Sequence, residues 1–306
     1  MDVGAAAGRL RAFNRFYTQQ IGVVSDRYLG QDRPLSESRL LFEIGDAGCT
    51  VRELRTRLVL DSGQLSRLLR SLEAQRLIRV QPDAADKRVR LASLTSAGRR
   101  ALATLNAKAD ESATTVLRQL DDRQRTDLLS ALDNAARLLR LAGVTLTVVD
   151  PTSTEAQLCL QRFSAELEER FPEGFDRDAL VPPRQASGKD GAFVVARERE
   201  RLVGCGVLRT LEPGIGEIRH LWVTADARGI GLGRRLLSEL ESQALTRGHT
   251  AVRLDTHEVL TEAIQLYRTA GYEEITPYDD NPYAHLWFDK PLRVTSHDVV
   301  GPNGPA

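Results

Sequence analysis

Ala227-Arg-Gly-Ile-Gly-Leu-Gly-Arg-Arg-Leu-Leu237 decides how the second half of the chain is read. A strand-like run, Gly216-Glu-Ile-Arg-His-Leu-Trp-Val223, precedes it. A helical pattern follows, with Leu236, Leu237 and Leu240 on one side and Arg235, Glu239 and Glu241 elsewhere. Gly229, Gly231 and Gly233 occupy alternate positions, where a missing Cβ allows φ > 0 and close approach of backbone to a ligand. The free N–H groups of the helix's first turn, with the positive end of its dipole, favour an anion above them. Arg228 and Arg234 add charge. The stretch reads as a pyrophosphate cradle. It lacks the Gly-Lys-Ser/Thr of a Walker A loop. Nor does it match a dinucleotide fingerprint, whose Gly-x-Gly-x-x-Gly follows the first strand.

The pattern Arg228-x-x-Gly231-x-Gly233 resembles the acyl-CoA-binding loop of the GNAT N-acetyltransferases. Glu217-Ile-Arg-His-Leu-Trp-Val223 before it and Ala263-Ile-Gln-Leu-Tyr-Arg-Thr-Ala-Gly-Tyr272 after it look like that family's neighbouring strand and later helix. The likeness runs from about residue 146 to 292 and implies acetyl-CoA as co-substrate. It assigns the pyrophosphate to Arg228, Gly229, Ile230, Gly231, Leu232, Gly233 and Arg234. It assigns polarisation of the thioester carbonyl to backbone N–H groups around Leu221, Trp222 and Val223, where the central strand bends from its neighbour. Glu217 matches the position of a general base, acting directly or through water. The alternative for Glu217 is a solvent-exposed strand carboxylate. Tyr267 matches the tyrosine that protonates the leaving thiolate, with a core tyrosine as the alternative. His220 alternates away from Glu217 along the strand and reads as a packing residue unless a bulge intervenes. His257 stands where relatives often carry Asn. Glu166, Glu169 and Asp176 could attract a cationic amine, though carboxylates on a helix surface are usually solvated. Nothing in the sequence names the acceptor.

The rest of this half alternates in kind. Val144–Val149 reads as a strand after a helix stop at Gly143. Residues 153–170 read as a helix, 192–197 and 202–208 as a hairpin, and 251–254 as a strand. Residues 261–270 read as a helix, and 272–275 and 284–289 as closing strands.

With 306 residues the chain is long enough for two domains. Its formal net charge is zero, yet residues 52–100 hold twelve basic and five acidic side chains, a local +7. A basic segment in a neutral protein suggests a local anionic partner. The three cysteines, Cys49, Cys159 and Cys205, are far apart and odd in number, so neither a disulfide framework nor a metal site is expected, and a reducing compartment is. There is no apolar signal core and no run of 18 apolar residues, so a cytoplasmic protein without a membrane partner is expected.

In the first half, Leu10, Phe13, Phe16, Tyr17, Ile21 and Val24 form a helical stripe over 8–29. A helix around 37–46 follows. Thr50-Val-Arg-Glu53 is a capping box opening a short helix. Asp61 or Ser62 caps the next, in which Leu65, Leu68, Leu69 and Leu72 share one face and Gln64, Ser66, Arg67 and Arg70 the other. Two short helices joined by a tight turn, the second basic outside, suit the major groove of DNA. Leu77-Ile-Arg-Val80 and Val89-Arg-Leu91 read as a two-stranded hairpin with Lys87, Arg88 and Arg90 near its tip, able to enter the minor groove.

Ser66-Arg-Leu-Leu-Arg-Ser-Leu-Glu73, Leu77-Ile-Arg79, Asp86-Lys-Arg88 and Leu94-Thr-Ser-Ala-Gly98 resemble the MarR family of winged helix-turn-helix regulators over roughly residues 8–142. Gln75-Arg76 departs from that family, which usually has a glycine before Leu77. A helix from Thr95 to about Leu120, and another from Asp121 with Leu128, Leu129, Leu132, Leu138 and Leu139 inside, are more apolar than a lone surface helix needs. The likeness implies a homodimer on an inverted repeat of double-stranded DNA. Ser62, Gln64, Ser66, Arg67, Arg70, Lys87, Arg88 and Arg90 are the expected DNA contacts.

The expectation is two domains: a mostly α winged helix-turn-helix over 1–143, then an α/β (α+β) GNAT mixed sheet flanked by helices over 144–293, with a disordered tail over 294–306. The function expected is that of a transcriptional regulator that also acetylates a small amine. The alternatives are a repressor whose acetyltransferase fold only senses a metabolite, and an enzyme whose winged helix only dimerises it.

Overall fold

The computed structural model describes residues 2–21, 28–83, 86–172 and 174–293. The expected tail over 294–306 and Val24 lie outside the described residues. The chain divides into two units, Met1–Ser130 and Ala131–Ala306.

The first unit runs through α1 (Val3–Gln20), α2 (Leu35–Ile44), β1 (Cys49–Thr50), α3 (Val51–Leu58), α4 (Ser62–Ala74), β2 (Ile78–Pro82), β3 (Arg90–Leu94) and α5 (Ser96–Arg118) into α6 (Asp122–Ala142). The expected capping box forms: Glu53 N donates to Thr50 Oγ1 at 3.1 Å and Thr50 N to a Glu53 carboxylate oxygen at 2.8 Å. Between α3 and α4 the chain turns at Val59, which adopts a left-handed φ of 53°, and Asp61 rather than Ser62 caps α4 through Gln64 N at 2.8 Å. Leu65, Leu69 and Leu72 are buried with Leu40, Leu41 and Leu54 in one core. Arg76 takes φ 57°, the left-handed position where the family's glycine was missed. Thr95 then fastens the turn, donating to Arg76 O at 2.7 Å and accepting from Gly98 N at 3.0 Å. A Cβ on Gly98 would lie 2.0 Å from the Leu77 carbonyl oxygen, so only glycine fits there.

Three expectations need correction. The hairpin is a three-stranded sheet, ordered β1-β3-β2; two residues of β1 are too few to show a period. The first helix covers Val3–Gln20, earlier than 8–29, because Asp2 caps it through Gly4 and Ala5 N. Leu129, Leu132, Leu138 and Leu139 of α6, expected inside, are exposed in the single chain. The stripe residues Leu10, Phe13, Phe16 and Tyr17 of α1 are exposed as well.

The second unit begins within α6. It continues with β4 (Val144–Val149), α7 (Thr154–Arg170), β5 (Gly191–Glu198), β6 (Arg201–Glu212), β7 (Ile215–Val223), α8 (Leu232–Thr246), β8 (Ala251–Thr256), α9 (Thr261–Thr269), β9 (Glu273–Ile275) and β10 (Leu286–Pro291). The sheet order is β4-β5-β6-β7-β8-β10-β9. All neighbours are antiparallel except β7 and β8, which are joined through α8. Alternation along the strands supplies two cores. Val194, Val203, Leu208 and Ile218 pack with Leu232, Leu236, Leu237 and Leu240. Phe193, Val195, Cys205 and Trp222 pack with Phe163 and Leu167 of α7.

The end of α6 is tied to this unit. Arg140 grips Glu198 with Nε–Oε1 at 2.6 Å and Nη2–Oε2 at 2.8 Å. That pairing holds the Glu198 carboxyl down to about 2. Arg235 Nη1 donates to the carbonyls of Leu141 and Val144, both at 2.8 Å.

Two irregularities in β7 position the site. Its pairing with β8 covers Ile215, Gly216 and Glu217 opposite Ala251, Val252 and Arg253, and stops there although both strands continue. On its other edge Val207 faces Arg219 while Cys205 faces Trp222, so His220 and Leu221 together stand opposite Gly206. This is a bulge, and His220 within it has φ 53°.

Candidate functional site

Where β7 and β8 part, a cleft of about 610 Å³ opens. Its floor is Leu221, Trp222 and Val223; its walls include Leu232 and Gly233 of α8 and Leu266 and Tyr267 of α9. Gly231, at φ 92°, starts α8, and no side chain caps the helix there. The first-turn N–H groups therefore have no side-chain acceptor of their own, and Gly229 and Gly231 bring the backbone to the cleft wall. Arg234 also lines the cleft, its Nη2 donating to Thr269 Oγ1 at 2.7 Å. Ile230 turns inward and is buried in the core. Its carbonyl lies 3.5 Å from Arg137 Nη1 of α6.

The profile of the acetyltransferase (GNAT) family matches residues 157–272, and that of the MarR family matches residues 31–89. Over 156 residues the chain is 30% identical to an IAA acetyltransferase of Azospirillum brasilense, which spans 50% of this chain and 100% of that protein. It is 30% identical over 129 residues to an uncharacterized N-acetyltransferase of Schizosaccharomyces pombe, across 42% of this chain and 77% of the relative. A solved structure from Klebsiella pneumoniae, named as an acyl-CoA N-acyltransferase, aligns with a TM-score of 0.40 and 29% identity over 49% of this chain and 98% of that one.

The chain belongs to the GNAT acetyltransferase family. It is a fusion, with a MarR-family segment ahead of the GNAT segment. A GNAT fold uses an acyl-CoA donor, and the residues present fit one: a helix N-terminus without a side-chain cap, two positive-φ glycines and a split between strands.

At the inner end of the GNAT cleft, Tyr267 is 5% exposed and its hydroxyl makes no hydrogen bond among the described residues. Burial and the nearby Asp255 charge push that hydroxyl's pKa up, so it holds its proton. Beyond Tyr267 a second, smaller cavity of about 80 Å³ shares Leu221 and Tyr267 with the cleft. The bulge turns His220 to line it. His220 Nε2 accepts from Val181 N at 2.9 Å. Burial first, then Arg219 and Arg209, hold this imidazole neutral, with its pKa down to about 3. His257 also lines this cavity, stacked on Phe171 at 4.2 Å between ring centres.

Glu217, expected as general base, is fully buried and lines neither cavity. Its carboxylate is ion-paired to Arg209, lies 3.3 Å from Arg219 Nη1 and accepts from Tyr278 OH at 3.0 Å. The solvent-exposed alternative is therefore excluded. Glu166 lines the cleft but is committed: it is ion-paired to Arg228, lies 3.3 Å from Arg170 and accepts from Trp222 Nε1 at 2.9 Å. Burial alone would raise its pKa, but these partners hold it below the usual carboxylate range. Glu169 and Asp176 are exposed and line neither cavity.

In the MarR segment a groove of about 610 Å³ runs between α3, α4 and the β3 end of the hairpin, lined by Arg52, Arg55, Ser62, Ser66, Arg88 and Arg90. Gln64, Arg67, Arg70 and Lys87 are all exposed. Arg52 and Arg55 escaped the sequence reading. Their signal was spacing, two arginines three apart on one helix just after its cap.

No helix among the described residues is long and apolar enough to cross a membrane.

Proposed function

We propose that the chain is a cytoplasmic MarR-type transcriptional regulator that also transfers the acetyl group of acetyl-CoA to a small amine-bearing acceptor. Residues 1–143 form the DNA-binding and dimerising part, and 144–293 the acetyltransferase. The observation that carries the enzymatic half is a cleft lined both by an uncapped helix N-terminus and by the buried Tyr267. An acetyl-CoA donor supplies an acyl group activated as a thioester. The backbone from Gly229 to Gly233, with Arg228 and Arg234, binds its pyrophosphate. Leu221, Trp222 and Val223, on the edge of β7 that β8 leaves unpaired, orient the thioester arm and polarise its carbonyl. Tyr267, neutral and unpartnered, gives its proton to the departing sulfur. A thiol-release assay over amines, amino acids and aminoglycosides tests this reading, with IAA included because of the relative's name. Absence of acetyl-CoA binding by calorimetry would remove it.

The DNA-binding half rests on the basic groove. Gln64, Ser66, Arg67 and Arg70 on α4 face the major groove. Lys87, Arg88 and Arg90 reach the minor groove, and Ser62 contacts the backbone at the start of α4. A homodimer would carry two such faces to an inverted repeat of double-stranded DNA. Selection of bound genomic fragments tests it.

A second reading keeps the DNA-binding half and makes the GNAT segment a sensor of the metabolite without turnover. The observation favouring it is that α6 ends against the phosphate loop, with Arg137 Nη1 3.5 Å from the Ile230 carbonyl and Leu141 Cδ2 3.5 Å from where a Cβ on Gly231 would stand. Acetyl-CoA binding that shifts DNA affinity while no amine is acetylated would select this reading.

A further inference from the structure

The smaller cavity beyond Tyr267 has a chemistry of its own. Three rings form one wall: Phe171, Phe175 and Tyr283, with centroids 5.1–6.1 Å apart. Phe163 adds a fourth, 5.0 Å from the neutral His220 ring. Asp255, whose side chain is 9% exposed, lines the same cavity. Asp255 Oδ2 lies 2.9 Å from Arg219 Nη1, and Asn281 Nδ2 donates to Oδ1 at 3.1 Å. Arg219 is shared, standing also 3.3 Å from Glu217 and 4.0 Å from Asp279. The three carboxylates have oxygens within 4.8 Å of one another. Against them stand two arginines, Arg219 and the Arg209 paired to Glu217, so the cluster keeps a negative balance. Tyr267, buried and without a hydrogen-bond partner among the described residues, borders the same space.

We propose that this cavity is the acceptor pocket, that it takes the ammonium end of a small primary amine with an apolar stem and no carboxylate, and that Asp255 receives the ammonium and deprotonates it. The inference rests on the acetyltransferase reading above. An ammonium is drawn by the negative balance and by the faces of the aromatic wall. An acceptor carrying a carboxylate next to its amine would bring a fourth anion beside Glu217, Asp255 and Asp279. Arg219 is already engaged and offers it little. The volume of about 80 Å³ admits a short stem and leaves the rest of the acceptor outside.

The transfer balances on these residues. Asp255 takes one proton from the ammonium. The freed nitrogen pair attacks the thioester carbon, forming C–N as C–S breaks. Tyr267 protonates the departing sulfur and recovers a proton from the nitrogen. The proton on Asp255 then leaves to solvent. Burial raises the Asp255 pKa against the pull of Arg219, which makes it a better base than a free aspartate. The groups facing it are Arg219 and Glu217 from β7, Tyr267 from α9, and Tyr278, Asp279 and Asn281 from the segment between β9 and β10.

The test pairs each amine with its amino acid: phenethylamine against phenylalanine, isobutylamine against valine, using the full chain and acetyl-CoA. The expected result is kcat/KM at least about tenfold higher for each amine. Asp255→Asn should lower kcat/KM by about 100-fold and remove the acid limb of its pH profile, while acetyl-CoA affinity by calorimetry stays unchanged. Should that variant not fold, Phe175→Ala should raise KM for phenethylamine and leave acetyl-CoA affinity intact. Equal or better turnover of the amino acids, an unaltered pH profile in Asp255→Asn, or acetyl-CoA binding with no acetylation of either amine would overturn the acceptor assignment alone. Loss of acetyl-CoA binding by the wild-type chain would instead remove the enzyme reading beneath it.

Discussion

Arg228 is ion-paired to Glu166, with its Nε donating to the Val223 carbonyl at 3.1 Å, so the guanidinium expected on a phosphate lies against the cleft wall. To reach a pyrophosphate it has to leave a carboxylate on α7. Glu166→Gln should therefore tighten CoA binding by about two- to fivefold, the range of a partly exposed ion pair. Arg228→Ala should weaken it. Calorimetric titration with CoA measures both, and weaker binding by Glu166→Gln would show that the pair organises the cleft instead.

Gly231→Asp should abolish acetyl-CoA binding. It places a Cβ at φ 92° and a carboxylate at the helix end meant for phosphate. Circular dichroism and calorimetry together separate lost binding from lost fold.

Tyr267→Phe removes one oxygen and keeps the buried ring. We expect kcat to fall by about 100-fold and the Kd for acetyl-CoA to stay within twofold, roughly the loss of one general acid. Equal loss in both would assign the hydroxyl to binding.

Arg88, with its side chain 96% exposed on the hairpin, should contribute to most DNA sequences. Arg88→Ala is expected to cost about 1–3 kcal/mol if it enters a narrow minor groove, and to reduce the salt dependence. Arg67→Ala should relax discrimination between sites. Gel-shift salt titrations on selected fragments check both.

Acid should weaken the tie between α6 and β5. Arg140 depresses the Glu198 pKa from about 4.5 to about 2. A lowered folded-state pKa gives stability that is present above the ordinary value and lost as pH falls toward 2. Urea unfolding of the wild type and Glu198→Gln should differ most above pH about 4.5 and converge as pH falls from there toward about 2.

Most of the architecture was legible because its signals are local. The capping box at Thr50, the leucine faces of α4 and α8, and the alternation in β5 to β8 each follow from neighbours a few residues apart. The glycine missing before Leu77 marked a left-handed turn, now held by Arg76. What escaped depends on pairing across the sheet. Nothing in Arg219-His-Leu-Trp222 announces that two residues share one partner, so His220 read as packing and its place on a cavity wall was hidden. Asp255 was likewise silent, since its neighbours Arg219 and Asn281 lie 36 and 26 residues away. Glu217 was read from family position alone, which carries no information about the two arginines closing over it.

The sequence puts a helix stop at Gly143, and that is where one would cut to obtain the enzyme half by itself. The fold advises otherwise. A fragment starting there would lose Arg140, leaving Glu198 and Asp226 to Arg201 alone. It would also lose Arg137 beside Ile230 and the Leu141 carbonyl that Arg235 grips. Any graft or truncation that preserves the cofactor loop should therefore carry the chain from Ala131 onward, about three helical turns borrowed from what the sequence assigns to the regulator.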